Sequence, residues 1–152
     1  MKKLFNVLVV VLLAVCMLNL TACGGNEDDS FKIGLICLHD ESSTYDKNFI
    51  DSMYRALDEL GLEKDQLELV TGIGEDETCY QKASELAQTC DIVFADSFGH
   101  EDYMIQAAKE NEDVWFCDST GTKAHTKGLD NYFNAFASIY EGRYLAGIVA
   151  GM

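Results

Sequence analysis

The chain contains no proline and little positive charge: 11 lysines and arginines stand against 26 aspartates and glutamates, a formal net charge of −15 over 152 residues. The absent proline carries no functional reading. The absent cations do: without a basic patch, a nucleic-acid partner is excluded, and so is a bare electrostatic attraction to anionic lipid. No glycine-rich phosphate cradle follows the first strand of the fold, so dinucleotide binding has no support and no cofactor is expected. The three histidines, His39, His100 and His125, match no zinc spacing, so no metal is expected and solvated loop positions are the reading for all three. No internal repeat is present, and the apolar run near the start is shorter than the ~20 residues that span a bilayer.

That run is informative for another reason. Lys2 and Lys3 precede Leu4 to Leu18, which is apolar except for Asn6, in the pattern of a secretory signal core. The run ends in Leu20-Thr21-Ala22-Cys23, followed by Gly24-Gly25, and this junction resembles the lipobox of bacterial lipoproteins. Small residues let a peptidase close on the backbone, and the Cys23 thiol accepts the lipid. The expectation is a signal peptide over 1–22, a lipid anchor on Cys23 and a solvated tether over 23–30, which places the protein on the outer face of the bacterial cell membrane. Losing Lys2 and Lys3 leaves nine basic residues against 26 acidic ones, a mature charge of −17. Such a surface repels the membrane to which it is tied.

Cys37, Cys79, Cys90 and Cys117 remain in the mature part, with no C-x-x-C pair. An even number in an exported chain invites a disulfide reading. On a helix over 77–89, however, Cys79 and Cys90 stand roughly 16 Å apart, beyond the ~7 Å limit for a bridge. Cys37 and Cys117 lie in apolar strands, so the expected role is that of small buried hydrophobes.

From Phe31 onward, strand-like and helix-like segments alternate. Phe31–Leu38 is a short apolar run of the kind buried in parallel sheets. Residues 47–60 place Phe49, Met53, Ala56, Leu57 and Leu60 at helical spacing, and Gly61 closes the helix. Strands follow at 67–70, 91–95, 114–117 and 132–136, with helices at 77–89, 101–111 and from about 138. This rhythm predicts an α/β fold, a parallel sheet with helices on both faces. The last helix, Tyr144 to Met152, is apolar and ends without a polar tail, so it either closes the sheet or belongs to the front half of a larger protein.

In open α/β sheets, ligands bind beyond the carboxyl ends of the strands. The loops at that edge are His39–Asp46, Asp96–His100 and Asp118–Lys123, rich in carboxylates and hydroxyls, with Tyr45, Phe49 and Phe98 available for stacking. The loops at the other edge, Gly61–Gln66 and Asn111–Asp113, are plain acidic turns. A polar ligand site on one edge is therefore expected, with Ser97 and Phe98 among its candidates.

Four segments carry a family resemblance: Asp46-Lys47-Asn48-Phe49, Asp96 through Asp102, Asn131-Tyr132-Phe133-Asn134-Ala135-Phe136, and Glu141-Gly142-Arg143-Tyr144-Leu145-Ala146-Gly147. Together they resemble the basic membrane protein family of solute-binding lipoproteins, the purine-nucleoside-receptor type. The resemblance implies one lobe of a type I periplasmic binding protein over residues 31–152, binding a small molecule, suitably a purine nucleoside, for delivery to an ABC permease. It implies no enzyme activity. It assigns Asp40, nine residues before Phe49, to a ribose or base edge, Phe49 to base stacking, and Asp118 to a second ligand-bonding acid. Glu41-Ser42-Ser43 departs from the glycine-rich pattern usual there, which leaves the solute open. The family has a second lobe of similar size, and the expectation for this chain is the first lobe only, with weak binding or none.

Two rival readings accompany this one. Ala95-Asp96-Ser97-Phe98-Gly99 falls between a strand and a helix like a nucleophile elbow, with Asp118 and His125 following, so a secreted serine hydrolase using Ser97 is one alternative. The other is a non-functional gene fragment.

Overall fold

The computed structural model describes residues 30–152. The expected signal peptide, Cys23 and the tether up to residue 29 lie outside the described residues. Five strands, β1 (Ile33–Ile36), β2 (Leu67–Val70), β3 (Ile92–Ala95), β4 (Trp115–Asp118) and β5 (Tyr132–Asn134), form one sheet in the order β2-β1-β3-β4-β5. All four pairings are parallel. The helices are α1 (Thr44–Leu60), α2 (Glu77–Leu86), α3 (Glu101–Glu110), α4 (Ala124–Lys127) and α5 (Ile139–Ala150).

Side chains alternate between the two faces of a strand, so each face meets its own helices. Leu35 and Cys37 point to the face on which α1 lies, where Ile50 is fully buried against them. Ile36, Val93, Ala95, Phe116 and Tyr132 form a larger core with Cys79, Ala83 and Leu86 of α2 and Met104, Ile105, Ala107 and Ala108 of α3. Burying one Leu- or Ile-sized side chain in such a core contributes roughly 1.5–3 kcal/mol. Gly34 lets α2 approach β1 closely, since a Cβ there would sit 3.1 Å from Leu86 Cδ1. The α/β architecture with helices on both faces is thus as the sequence predicts.

The element limits shift by a few residues, and one shift is instructive. Helix α1 begins at Thr44 rather than at 47 because Ser43 caps it. The Ser43 hydroxyl donates to Asp46 Oδ2 at 2.5 Å and accepts from Asp46 N at 3.4 Å. Ser-x-x-Asp is the acidic form of a capping pattern. At the other end Gly61 adopts φ 71°, a left-handed cap.

All four cysteines of the described residues are free and buried. Burial pushes the Cys79 thiol up to about 12 and the Cys117 thiol up to about 11. His100 departs from the expectation of a solvated loop histidine. It is fully buried, and its Nε2 lies 3.0 Å from the Ile73 carbonyl oxygen.

The α1 face is covered over β2, β1 and β3 only. Beyond them Trp115 and Phe133 stay exposed and stack on one another at 5.2 Å. Helix α5 does not close the sheet: none of its residues is buried, and Tyr140, Tyr144, Leu145, Ile148 and Val149 all face solvent.

Candidate functional site

The strand order reverses direction between β1 and β3, and the crevice beyond their carboxyl ends is where such sheets take ligands. Here the crevice is closely tied. Leu38 N donates to Asp96 Oδ1 at 3.1 Å, and the Tyr45 hydroxyl donates to the Asp96 carbonyl at 3.0 Å. Asp46 accepts from His39 N at 2.7 Å, which pins the β1–α1 loop to the helix it precedes. Cys37, Asp46 and Asp96 bring their polar atoms within 4.8 Å of one another, all buried. Burial raises Asp96 to about 6. Burial acts on Asp46 in the same direction, but hydrogen bonds from Ser43 and the His39 amide outweigh it and bring that group down to about 2. Asp96 therefore holds its proton at a pH where Asp46 is ionised, which removes much of the repulsion between two adjacent carboxylates.

Beside this crevice lies an open, shallow cavity of about 450 Å³ lined by Phe49, Ser119, Ala135, Phe136 and Ala137. That volume is in the range of small-molecule sites, ~300–1,000 Å³. Three elements build it. Helix α1 presents Phe49, which is half-buried with its ring tilted against Tyr45 at 5.1 Å. The loop after β4 presents Ser119, held by its amide bond to the Ala95 carbonyl at 2.8 Å. The chain leaving β5 presents Phe136, 58% exposed.

Of the residues singled out in the sequence, Phe49 lines this cavity. Asp40 lies on the exposed rim of the β1–α1 loop, its Oδ1 accepting from Ser42 N at 2.9 Å and from the Ser42 hydroxyl at 2.5 Å. Those bonds hold its carboxyl below the usual range. Asp118 is fully buried at the end of β4, where burial raises it to about 7. Its Oδ1 accepts from Thr120 N at 3.0 Å, and Oδ2 has no hydrogen-bond partner. Phe98 is 62% exposed and starts the short turn before α3.

Ser97 donates its hydroxyl proton to Glu75 Oε1 at 2.5 Å, and Gly99 N donates to the same oxygen at 3.1 Å. A serine nucleophile needs its hydroxyl hydrogen-bonded to a base that a third group orients, usually histidine. Here the partner is an exposed carboxylate, while His125 sits exposed on α4 and Asp118 is engaged with its own loop. The hydrolase reading has no triad geometry to stand on.

Two contributors escaped the sequence reading. Glu75 comes from the β2–α2 loop, which belongs to the same edge but had not been counted with it. The sequence predicts a strand over 132–136, whereas β5 ends at Asn134 and Ala135, Phe136 and Ala137 line the cavity instead.

Comparison with known proteins places this geometry in context. A 59-residue stretch is 39% identical to a purine-binding protein of Brucella abortus (strain 2308), covering 39% of this chain and 16% of that protein. The fold matches an ABC transporter system solute-binding protein from Conexibacter woesei DSM 14684 with a TM-score of 0.58 at 16% identity, over 69% of this chain and 34% of that one. A transcriptional activator of the comK gene from Bacillus halodurans matches with a TM-score of 0.55 at 16% identity, over 68% of this chain and 33% of that one. At such identities the two structures speak for the fold alone, and the chain spans about a third of their length. The profile described as Bmp, ABC transporter substrate-binding protein PnrA-like, matches residues 33–152, so the chain belongs to the Bmp family.

Proposed function

We propose that this chain captures a purine nucleoside or a closely related small molecule at the carboxyl edge of its sheet and hands it to an ABC permease. In this reading a lipid on Cys23 holds the protein on the outer face of the bacterial cell membrane. The observation that carries the reading is the open cavity lined by Phe49, Phe136, Ser119 and two alanines. Flat aromatic walls with one hydroxyl suit a planar heterocycle, and stacking contributes ~1–3 kcal/mol per base. The resemblance assigns two acids to the solute: Asp40, exposed in the β1–α1 loop, and Asp118, which is buried one residue before Ser119. The purine-binding relative and the family membership support the same solute class.

The charges at this edge favour a nucleoside over a nucleotide. Lys123 Nζ is held by Asp102 at 2.6 Å and by Glu101 at 3.9 Å, and Lys47 by Asp51 at 2.9 Å. A phosphate would meet Asp40, Glu41 and Glu75, while Lys47 and Lys123 are already paired with carboxylates.

Calorimetry of a two-lobe version of the protein against adenosine, guanosine, inosine, uridine and a purine monophosphate tests the proposal. Purine nucleosides are expected to bind, with the monophosphate at least tenfold weaker, and Phe49→Ala is expected to lower purine affinity about tenfold. Silence across all purines would remove the nucleoside assignment. For the anchor, Cys23→Ser is expected to move the protein from the membrane fraction to the soluble one. An unchanged distribution would count against lipidation.

A further inference from the structure

Glu101, the first residue of α3, is a carboxylate in an unusual position: only 1% of its surface is exposed. Burying a carboxylate costs several kcal/mol unless hydrogen bonds replace its water. Here the replacement is concentrated on one oxygen. Glu101 Oε1 accepts from Thr122 N and Lys123 N, both at 2.6 Å, from Asn134 Nδ2 at 3.3 Å and from the Tyr132 hydroxyl at 3.5 Å. Lys123 Nζ approaches Oε2 at 3.9 Å.

These partners belong to different elements. Thr122 and Lys123 lie in the β4–α4 loop, and Tyr132 and Asn134 in β5, so one side chain ties the start of α3 to both. Asn134 tightens the knot by donating to the Asp118 carbonyl at 3.3 Å and accepting from Ala124 N at 2.7 Å. Gly121 is the residue that permits the packing. A Cβ there would lie 2.4 Å from both Glu101 Oε1 and Asn134 Nδ2.

The segments held in this way make one side of the cavity. The β4–α4 loop begins with Ser119, and β5 continues into Ala135 and Phe136, with Ala135 N bonded to the Asp118 carbonyl at 3.2 Å. Glu101 itself is not among the residues lining that space.

We propose that Glu101 is a positioning residue of the solute site, fixing the Ser119 and Phe136 wall from behind without touching the solute. This rests on the solute-binding reading above for its consequence, but the restraint on the loop can be measured without any ligand. Glu101→Ala removes every acceptor, whereas Glu101→Gln keeps one acceptor oxygen in the same place and removes the charge.

The experiment is amide hydrogen exchange by NMR on the wild-type chain and both variants, followed by calorimetry with inosine on a two-lobe version of each. In Glu101→Ala, exchange at Thr122 and Lys123 is expected to rise tenfold or more while Leu35 and Val93 in the sheet keep their protection. Glu101→Gln is expected to recover a substantial part of that protection. Inosine affinity is expected to follow the same order, falling tenfold in the alanine variant and returning partway with glutamine. Unchanged exchange at Thr122 and Lys123 in a folded Glu101→Ala protein overturns the proposal, and so does released loop exchange with undiminished inosine affinity. If the alanine variant does not fold, glutamine carries the test. Exchange at Thr122 and Lys123 is then expected to rise about threefold over the wild type, and unchanged exchange there overturns the proposal. If the two-lobe wild type binds no inosine, the nucleoside reading fails, and loop positioning is decided by the exchange data alone.

Discussion

Replacing Asp118 with asparagine should make the protein more stable at pH 8 and leave it nearly unchanged at pH 3.5. Burial, reinforced by the nearby charge of Glu101, raises the Asp118 carboxyl from 3.8 to about 7. Because the folded value lies above the unfolded one, the folded state binds more protons between pH 4 and 7, and stability falls as the pH rises through that window. The gap between 3.8 and about 7 corresponds to roughly 4 kcal/mol once the group is ionised. Asparagine keeps the side-chain shape and the oxygen that accepts from Thr120 N at 3.0 Å. Its amide nitrogen replaces Oδ2, which has no partner. The protonated acid bears the same buried unpaired donor, so that cost largely cancels at low pH. At pH 8 the variant escapes the charge, and the expected gain is about 2–4 kcal/mol. Urea unfolding of both proteins at the two pH values measures it, and every other titrating group cancels in the difference to the extent that it is not coupled to Asp118. A gain that is the same at both pH values, or a variant less stable at pH 8, would refute the reasoning.

Other consequences can be measured with the same material. Ser43→Ala removes the α1 cap and should cost about 1 kcal/mol in urea unfolding, with no change in the slope of the transition. Gly121→Ala places a methyl group against Glu101 and Asn134 and should cost ~1–3 kcal/mol, more than a typical exposed loop substitution. The thiols of Cys37, Cys79, Cys90 and Cys117 are buried, so a thiol reagent should label them only as fast as the protein opens, and all four at once in denaturant. Ser97→Ala should lower stability by about 1 kcal/mol through the lost bond to Glu75, and a serine-reactive phosphonate should leave the wild-type protein unmodified.

The apolar segments Ile33–Ile36, Ile92–Ala95 and Trp115–Asp118 are short, and the helical spacing of Met53, Leu57 and Leu60 is regular. Local period and chain order were therefore enough to specify strands, helices and a parallel sheet. The same pattern located the polar edge, because carboxyl-end loops differ from the opposite turns in composition. The family resemblance, not spacing, singled out Phe49, which lines the open cavity. What could not be read locally is everything that depends on which loops meet. Glu75 reaches Ser97 and Gly99 across 22 and 24 positions of sequence, and Glu101 reaches Thr122 and Asn134 across 21 and 33. Each of these acids looks like an ordinary surface carboxylate until the sheet order brings its partners together. Phe136 reads as a strand residue until β5 ends two positions earlier. The protonation of Asp96 and Asp118 depends on how much water the fold removes, and no local spacing encodes that. The sequence by itself determined the alternation of elements and the edge that carries the site, because periodicity and loop chemistry are local. Only the tertiary structure decided which carboxylates are buried and which loops and strands each of them ties together, because those properties arise from contacts between distant segments.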